Sequence, residues 1–94
     1  MTGTIVVVAA TNSASSAGYG KVQCVFYDAA AATHPTNWRI DGGPWFSVGS
    51  AAVLVTLGAH TLSFDALLGT DVNPPNKVVT VQQSKLHVFK VNYV

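Results

Sequence analysis

Residues Asn37 to Asp65 read N-W-R-I-D-G-G-P-W-F-S-V-G-S-A-A-V-L-V-T-L-G-A-H-T-L-S-F-D. Apolar and polar residues alternate, the chain turns on a glycine pair, alternates again, turns on Gly58 and alternates a third time. A period of two belongs to half-buried strands, whose successive side chains face opposite sides. The stretch therefore reads as a β-meander. Asn37–Asp41 is a strand with Trp38 and Ile40 inward and Arg39 and Asp41 outward. Asp41-Gly42-Gly43 is a tight turn, because glycine accepts the positive φ such turns need. Pro44 lets a short strand, Trp45–Val48, begin at an edge. Ala51–Leu57 is the next strand, and Gly58-Ala59 turns it back into His60–Ala66, with His60, Leu62 and Phe64 on one face.

Outward from this stretch the pattern repeats. Thr4–Ala10 is a β-branched first strand, apolar on both faces. Thr11–Gly20, T-N-S-A-S-S-A-G-Y-G, is small and polar and reads as a connection. Lys21–Tyr27 is a strand with Val22, Cys24 and Phe26 on one face. Asp28–Thr36 carries four alanines, but Pro35 stops any helix after at most one turn. Leu67–Asn76 is a longer loop broken by Gly69 and Pro74-Pro75. Two closing strands follow, Lys77–Gln82 and Leu86–Tyr93, joined by a turn at Gln83-Ser84. Short strands at this spacing predict one domain over residues 1–94. Its expected class is all-β, an Ig-like antiparallel β-sandwich of about seven to eight strands.

Composition narrows the possible jobs. Apolar residues make up 49% and charged residues 10%, against roughly 25% charged in an average soluble domain. A net charge of +1, with Lys21, Arg39, Lys77, Lys85 and Lys90 scattered, provides no basic field for a nucleic-acid backbone. No apolar run approaches the ~20 residues of a membrane-spanning helix, so no membrane insertion is expected. The start, M-T-G-T-I-V-V-V-A-A, has no basic region ahead of its apolar run, so no secretory signal is expected. The chain then reads as a protein used without such export or as a module of a longer exported one. The single cysteine, Cys24, excludes an intrachain disulfide and suits a small buried hydrophobe.

Chemistry is absent from the pattern. His34, His60 and His87 fall in three elements at no metal-ligand spacing. Asp28, Asp41, Asp65 and Asp71 sit in no D-x-D-x-D-G loop. There is no G-x-S-x-G elbow. No catalytic residue, metal site or cofactor is expected.

From Trp38 onward the chain resembles a bacterial immunoglobulin-like surface repeat of the W-R-V-D-G-G type, akin to the PEGA domain. The matching residues are W-R-I-D-G-G-P-W at Trp38–Trp45, L-G-A-H-T-L-S-F at Leu57–Phe64, then Gly69, a proline at 74 or 75, V-V-T-V at Val78–Val81 and Tyr93. The likeness covers about residues 37–94. Thr70 and Ser84 depart from it, and residues 1–34 have no counterpart and add two strands. The resemblance implies a small β-sandwich used as a spacer, adhesive or lattice-forming module, without catalytic residues. Each motif residue also has a structural explanation: Trp38, Trp45 and Phe64 pack a core, Gly42 and Gly43 turn, and His60 ends a hairpin.

Binding is the remaining option. Trp45 and Phe46 are adjacent in a strand, so one of them points away from the core. Ile5–Ala9 and Leu86–Val91 are apolar on both faces, where a two-layer sandwich exposed to water has one polar face. Ile5, Val7, Trp45, Phe46, Leu86 and Val88 are therefore the interface candidates, for a protein partner. That partner is a second copy or a larger capsid or surface lattice. The expected role is a structural protein of a phage virion, as capsid decoration or tail, located at the virion surface. The alternative is a carbohydrate-binding or adhesive module of a secreted bacterial protein, extracellular or on the cell surface, with a glycan as partner.

Overall fold

A computed structural model describes residues 1–14 and 16–94; Ser15, within the expected Thr11–Gly20 connection, lies outside the described residues. The strands are β1 (Gly3–Val7), β2 (Thr11–Asn12), β3 (Tyr19–Phe26), β4 (Thr36–Ile40), β5 (Phe46–Ser47), β6 (Val53–Thr56), β7 (Gly58–Ala66), β8 (Lys77–Val81) and β9 (Lys85–Tyr93). One 3-10 turn, Ala31–Thr33, sits between β3 and β4, started by an Asp28 Oδ1 that accepts from Ala31 N–H and ended before Pro35. The strands form two sheets: β1-β9-β3-β6 with β2 also on β9, and β5-β4-β7-β8. The architecture is an all-β sandwich, compatible with an Ig-like fold.

The core lies between the sheets and is built by strict alternation. On β9, His87, Phe89, Val91 and Tyr93 are buried, while Leu86, Val88, Lys90 and Asn92 are half-buried on the outer face. Opposite them β4 and β7 contribute Trp38, Leu62 and Phe64. Trp38, Leu62, Val22, Val91 and Cys24 are sealed from solvent. Burial pushes the Cys24 thiol far above its ordinary value and keeps it protonated. A fully buried side chain of this kind is worth about 1.5–3 kcal/mol relative to exposure.

Three expectations need correction. The first concerns the meander. β4 pairs with β5 and with β7, but β6 leaves that sheet and pairs with β3. Gly49 (φ 97°) and Gly58 (φ 107°) bracket β6 and give the chain the sharp reversals it needs to cross to the other layer and return. Gly49 N–H docks on Cys24 C=O as the crossing is made. His60 accordingly ends no hairpin.

Second, the sheets are not wholly antiparallel, because β3 runs parallel to β9 from Lys21–Leu86 to Phe26–Val91. Third, the first strand stops at Val7. Val7 pairs with Phe89 and Thr11 with Leu86, so Val8, Ala9 and Ala10 oppose only His87 and Val88. The extra residue is a β-bulge that splits one edge strand into β1 and β2.

The turn at Asp41-Gly42 matches its expectation. Both residues have positive φ (50° and 71°), and Gly43 N–H donates to Ile40 C=O, the arrangement of a type I′ turn. Close approaches fix two other glycines. A Cβ on Gly3 would lie 2.5 Å from Pro74 Cδ, and one on Gly20 2.4 Å from the Gln82 carbonyl oxygen and 2.7 Å from Val81 Cγ1. Gly69 has open space and an ordinary φ.

Gly20→Ala is expected to lower stability by about 1–3 kcal/mol through overpacking against fixed backbone. Gly69→Ala should leave it within about 0.5 kcal/mol. Chemical denaturation of both variants checks the pair, and equal effects would contradict the close contact.

Candidate interaction surface

Register alone assigns the outer face of the five-stranded sheet. Its rows run Val6–Lys90–Val25, then Val88–Gln23, then Thr11–Leu86–Lys21–Leu54. Val6 and Leu54 are exposed, while Val25, Leu86 and Val88 are half-buried. The lysines of this face stand among these apolar side chains, and the Lys90 ammonium lies 5.9 Å from the Tyr27 ring centroid. No aspartate stands on this face: Asp41 lies in a turn, Asp28 and Asp71 in loops, and Asp65 opposite Asn37 on the outer face of the other sheet.

The six candidates divide among different places. Leu86 and Val88 lie together on the outer face just described. Ile5 and Val7 face the other way, because they pair with the inward Val91 and Phe89. Ile5 packs against the core, but Val7 remains 55% exposed. Phe46 is turned in against Trp38, ring centroids 5.1 Å apart. Trp45 is the outward member of its pair, which corrects its expected place in the core. It precedes the two-residue β5, and alternation that turns Phe46 in turns Trp45 out. The Arg39 guanidinium covers one face of its ring at 4.4 Å from the centroid.

Val6, Val25 and Leu54 belong to the same face as Leu86 and Val88 but were not among the candidates. Val6 and Val25 were readable as the off-face partners of Ile5 and Cys24. Leu54 was not, because its sheet membership depends on the crossover at Gly49.

Each histidine has a distinct setting. His60 Nδ1 lies 2.5 Å from Asp41 Oδ2, and Nε2 is 2.8 Å from the Thr56 carbonyl oxygen and 3.3 Å from Thr56 Oγ1. Thr56, His60 and Asp41 thus share the connectivity of a catalytic relay. The carbonyl can only accept, however, so Nε2 carries a proton and is not a base. With both ring nitrogens donating, the imidazolium is the favoured form. The hydrogen bond to Asp41 accordingly raises the His60 pKa above its ordinary value. Asp41 is lowered, first by accepting from Thr61 N–H and then by His60. This is a clasp that ties the type I′ turn to the start of β7.

His34 Nδ1 meets Asp71 Oδ2 at 2.7 Å while its ring stacks on Tyr93 at 4.8 Å. Asp71 also lies 3.0 Å from the Met1 ammonium, and its pKa is lowered chiefly by the His34 hydrogen bond. His87 is the opposite case. Its Nε2 accepts from Gln82 N–H at 3.1 Å, so the ring is neutral with its proton on Nδ1, and burial holds its pKa below the ordinary value. Among the described residues no group of three or more His, Cys, Asp or Glu side chains is placed to hold a metal. No helix of the described residues is long and apolar enough to cross a membrane.

One groove of about 350 Å³ opens along the side of the sandwich, between Val7–Ala10 on one sheet and Lys77–Thr80 on the other, with His87, Phe89 and Gln82 completing its walls. Comparison of this chain with protein families, curated proteins and solved structures yields no match.

The clasp has a defined pH window. The raised His60 contribution is complete below about pH 6.5 and fades as pH rises through the folded-state value. The lowered Asp41 contribution is present above about pH 3.8 and fades as pH falls through its folded-state value. The clasp is therefore fullest in mildly acid solution. In an NMR titration His60 is expected to show a midpoint above 6.5 that drops in Asp41→Asn. An unchanged midpoint in that variant would rule the clasp out.

Proposed function

We propose that this chain is a non-enzymatic structural protein that works by packing against other protein. The observation that carries this reading is the outer face of the five-stranded sheet. Val6, Val25, Leu54, Leu86 and Val88 occupy positions that a water-facing sheet fills with polar residues. Outward apolar surface on a weakly charged domain is typical of partner surfaces, and its lysines, with no aspartate among them, favour a partner that brings carboxylates. The setting we favour is a phage virion, as capsid decoration or tail component, or another repeated surface lattice. The PEGA-like resemblance of residues 37–94 belongs to the same proposal, since such repeats serve as spacers and lattice modules.

A second reading rests on Trp45. An outward tryptophan is a common platform for a sugar ring, and it supports a carbohydrate-binding or adhesive module. Arg39 already occupies one face of that ring, which favours packing over glycan binding. Trp fluorescence across a broad glycan panel separates the two: a saturable shift supports the sugar reading.

The packing reading is tested by light scattering over a wide concentration range. The mass is expected to rise above that of a 9.8 kDa monomer toward a defined oligomer or polymer. The double variant Val6→Lys, Leu54→Lys, at two exposed positions, should keep the fold by circular dichroism and remain monomeric. A wild-type chain that stays monomeric at every concentration excludes self-assembly and leaves packing onto a foreign lattice.

A further inference from the structure

The groove beside β8 is made of features that a closed sandwich lacks. Val7 faces the interior by register yet is 55% exposed, and it lines the open groove between the two layers. β8 ends its sheet, so one of its edges is unpaired, and Val78 on it is 63% exposed. β1 and the bulge at Ala9-Ala10 form the facing wall. His87 is 8% exposed. Its Nε2 is taken by Gln82 N–H, so the Nδ1–H is a donor with no acceptor among the described residues. It is not one of the enclosed polar atoms that lack a partner, so it is reachable from solvent. The groove's one charged liner is Lys77, which makes no ion pair among the described residues, and no carboxylate lines it.

We propose that this groove is a strand-acceptor site: it takes an extended, apolar segment of a partner polypeptide that carries a carboxylate. The segment adds to the free edge of β8 by main-chain hydrogen bonds. Its inward side chains cover Val7 and Phe89, one of its carbonyls accepts from His87 Nδ1–H, and its carboxylate faces Lys77. The five residues of β8 span roughly 17 Å, which sets the segment at five or six residues. Charge complementarity selects the occupant, since the one charged residue lining the groove is a cation and no carboxylate lines it. The inference rests on the reading of the chain as a packing protein and specifies one way in which a partner is held.

The test uses the full chain, labelled with ¹⁵N, and two acetylated, amidated six-residue peptides of alternating threonine and valine. One ends in aspartate and the other in lysine. The aspartate peptide is expected to shift the amide signals of residues 7–10 and 77–81 and the side-chain signals of His87, and to slow hydrogen exchange along β8. Lys77→Glu in the protein, or lysine in the peptide, should weaken binding at least tenfold. Val7→Lys, at an exposed position that tolerates charge, should abolish binding while the fold is retained.

The proposal is overturned if the aspartate peptide shifts nothing at millimolar concentration, if both peptides bind equally, or if the shifts fall on Leu86 and Val88. It is also overturned if the groove signals move with protein concentration alone, which would make the occupant a second copy. Assembly that Val6→Lys, Leu54→Lys abolishes, together with silent groove signals, removes the strand-acceptor site and leaves the packing reading standing. Peptide binding to a strict monomer removes self-assembly and leaves the groove.

Discussion

The parallel pairing of β3 with β9 is the constraint on which the rest of the structure depends. It sets β9 between two neighbours, β3 on one side and β1–β2 on the other, and so fixes which of its side chains face inward. It also joins segments close to opposite ends of the chain. A parallel pair cannot be closed by a short turn and needs a long connection. Here that connection supplies the whole second sheet, β4, β5, β7 and β8, together with the excursion of β6 back to the first. The core therefore has one arrangement: Val22, Cys24, Phe89 and Val91 from the constrained pair meet Trp38, Leu62 and Phe64 from the connection.

Within this frame the local features were readable and the pairings were not. Trp38, Ile40, Leu62 and Phe64 face inward as their alternation implies, because one buried face forces period two on a strand. Asp41-Gly42 forms the turn its chemistry demands, and Pro35 stops the alanine run after one 3-10 turn. Gly58 shows where reading fails. A glycine between two alternating runs reverses the chain whether the runs then pair in one sheet or pack in facing sheets. Alternation is identical in both cases, and only the partner strand differs. Gly49 carries the same ambiguity, and the parallel β3–β9 pair lies beyond any local signal. The bulge at Ala9-Ala10 was hidden because small apolar residues continue the pattern without interrupting it.

The histidines illustrate the same limit at the level of chemistry. Spacing offered no metal-ligand pattern and gave no sign that His60 would meet Asp41, or His34 Asp71, since both contacts are made between elements brought together by folding. The two rings whose proton placement is fixed hold opposite states. His60 has acceptors at both nitrogens and favours the cation, while His87 accepts at Nε2 and stays neutral under burial. Acid has opposite effects on them. Protonation completes the clasp at His60 and opposes the fold at His87, where the folded state binds the proton less readily than the unfolded chain. The fold thus uses histidine on both sides of its titration as a structural part.

Edges give the argument about partners its physical basis. Sandwich proteins guard unpaired edges with lysine, proline, bulges, shortness or a covering loop. This chain guards some and not others. β5 is two residues long and follows Pro44. The edge of β1 is bulged at one end, and at the other Gly3 N–H is bonded to Val72 C=O. β8, K-V-V-T-V, carries a lysine only at its start, and β6, V-L-V-T, carries no charge. A chain with 10% charged residues has little repulsion to keep such edges apart. Its inward-facing Val7 is also left uncovered beside one of them. Both the unguarded edge and the uncovered side chain lie on the same flank of the sandwich, so a single added strand would satisfy the backbone of one and bury the other.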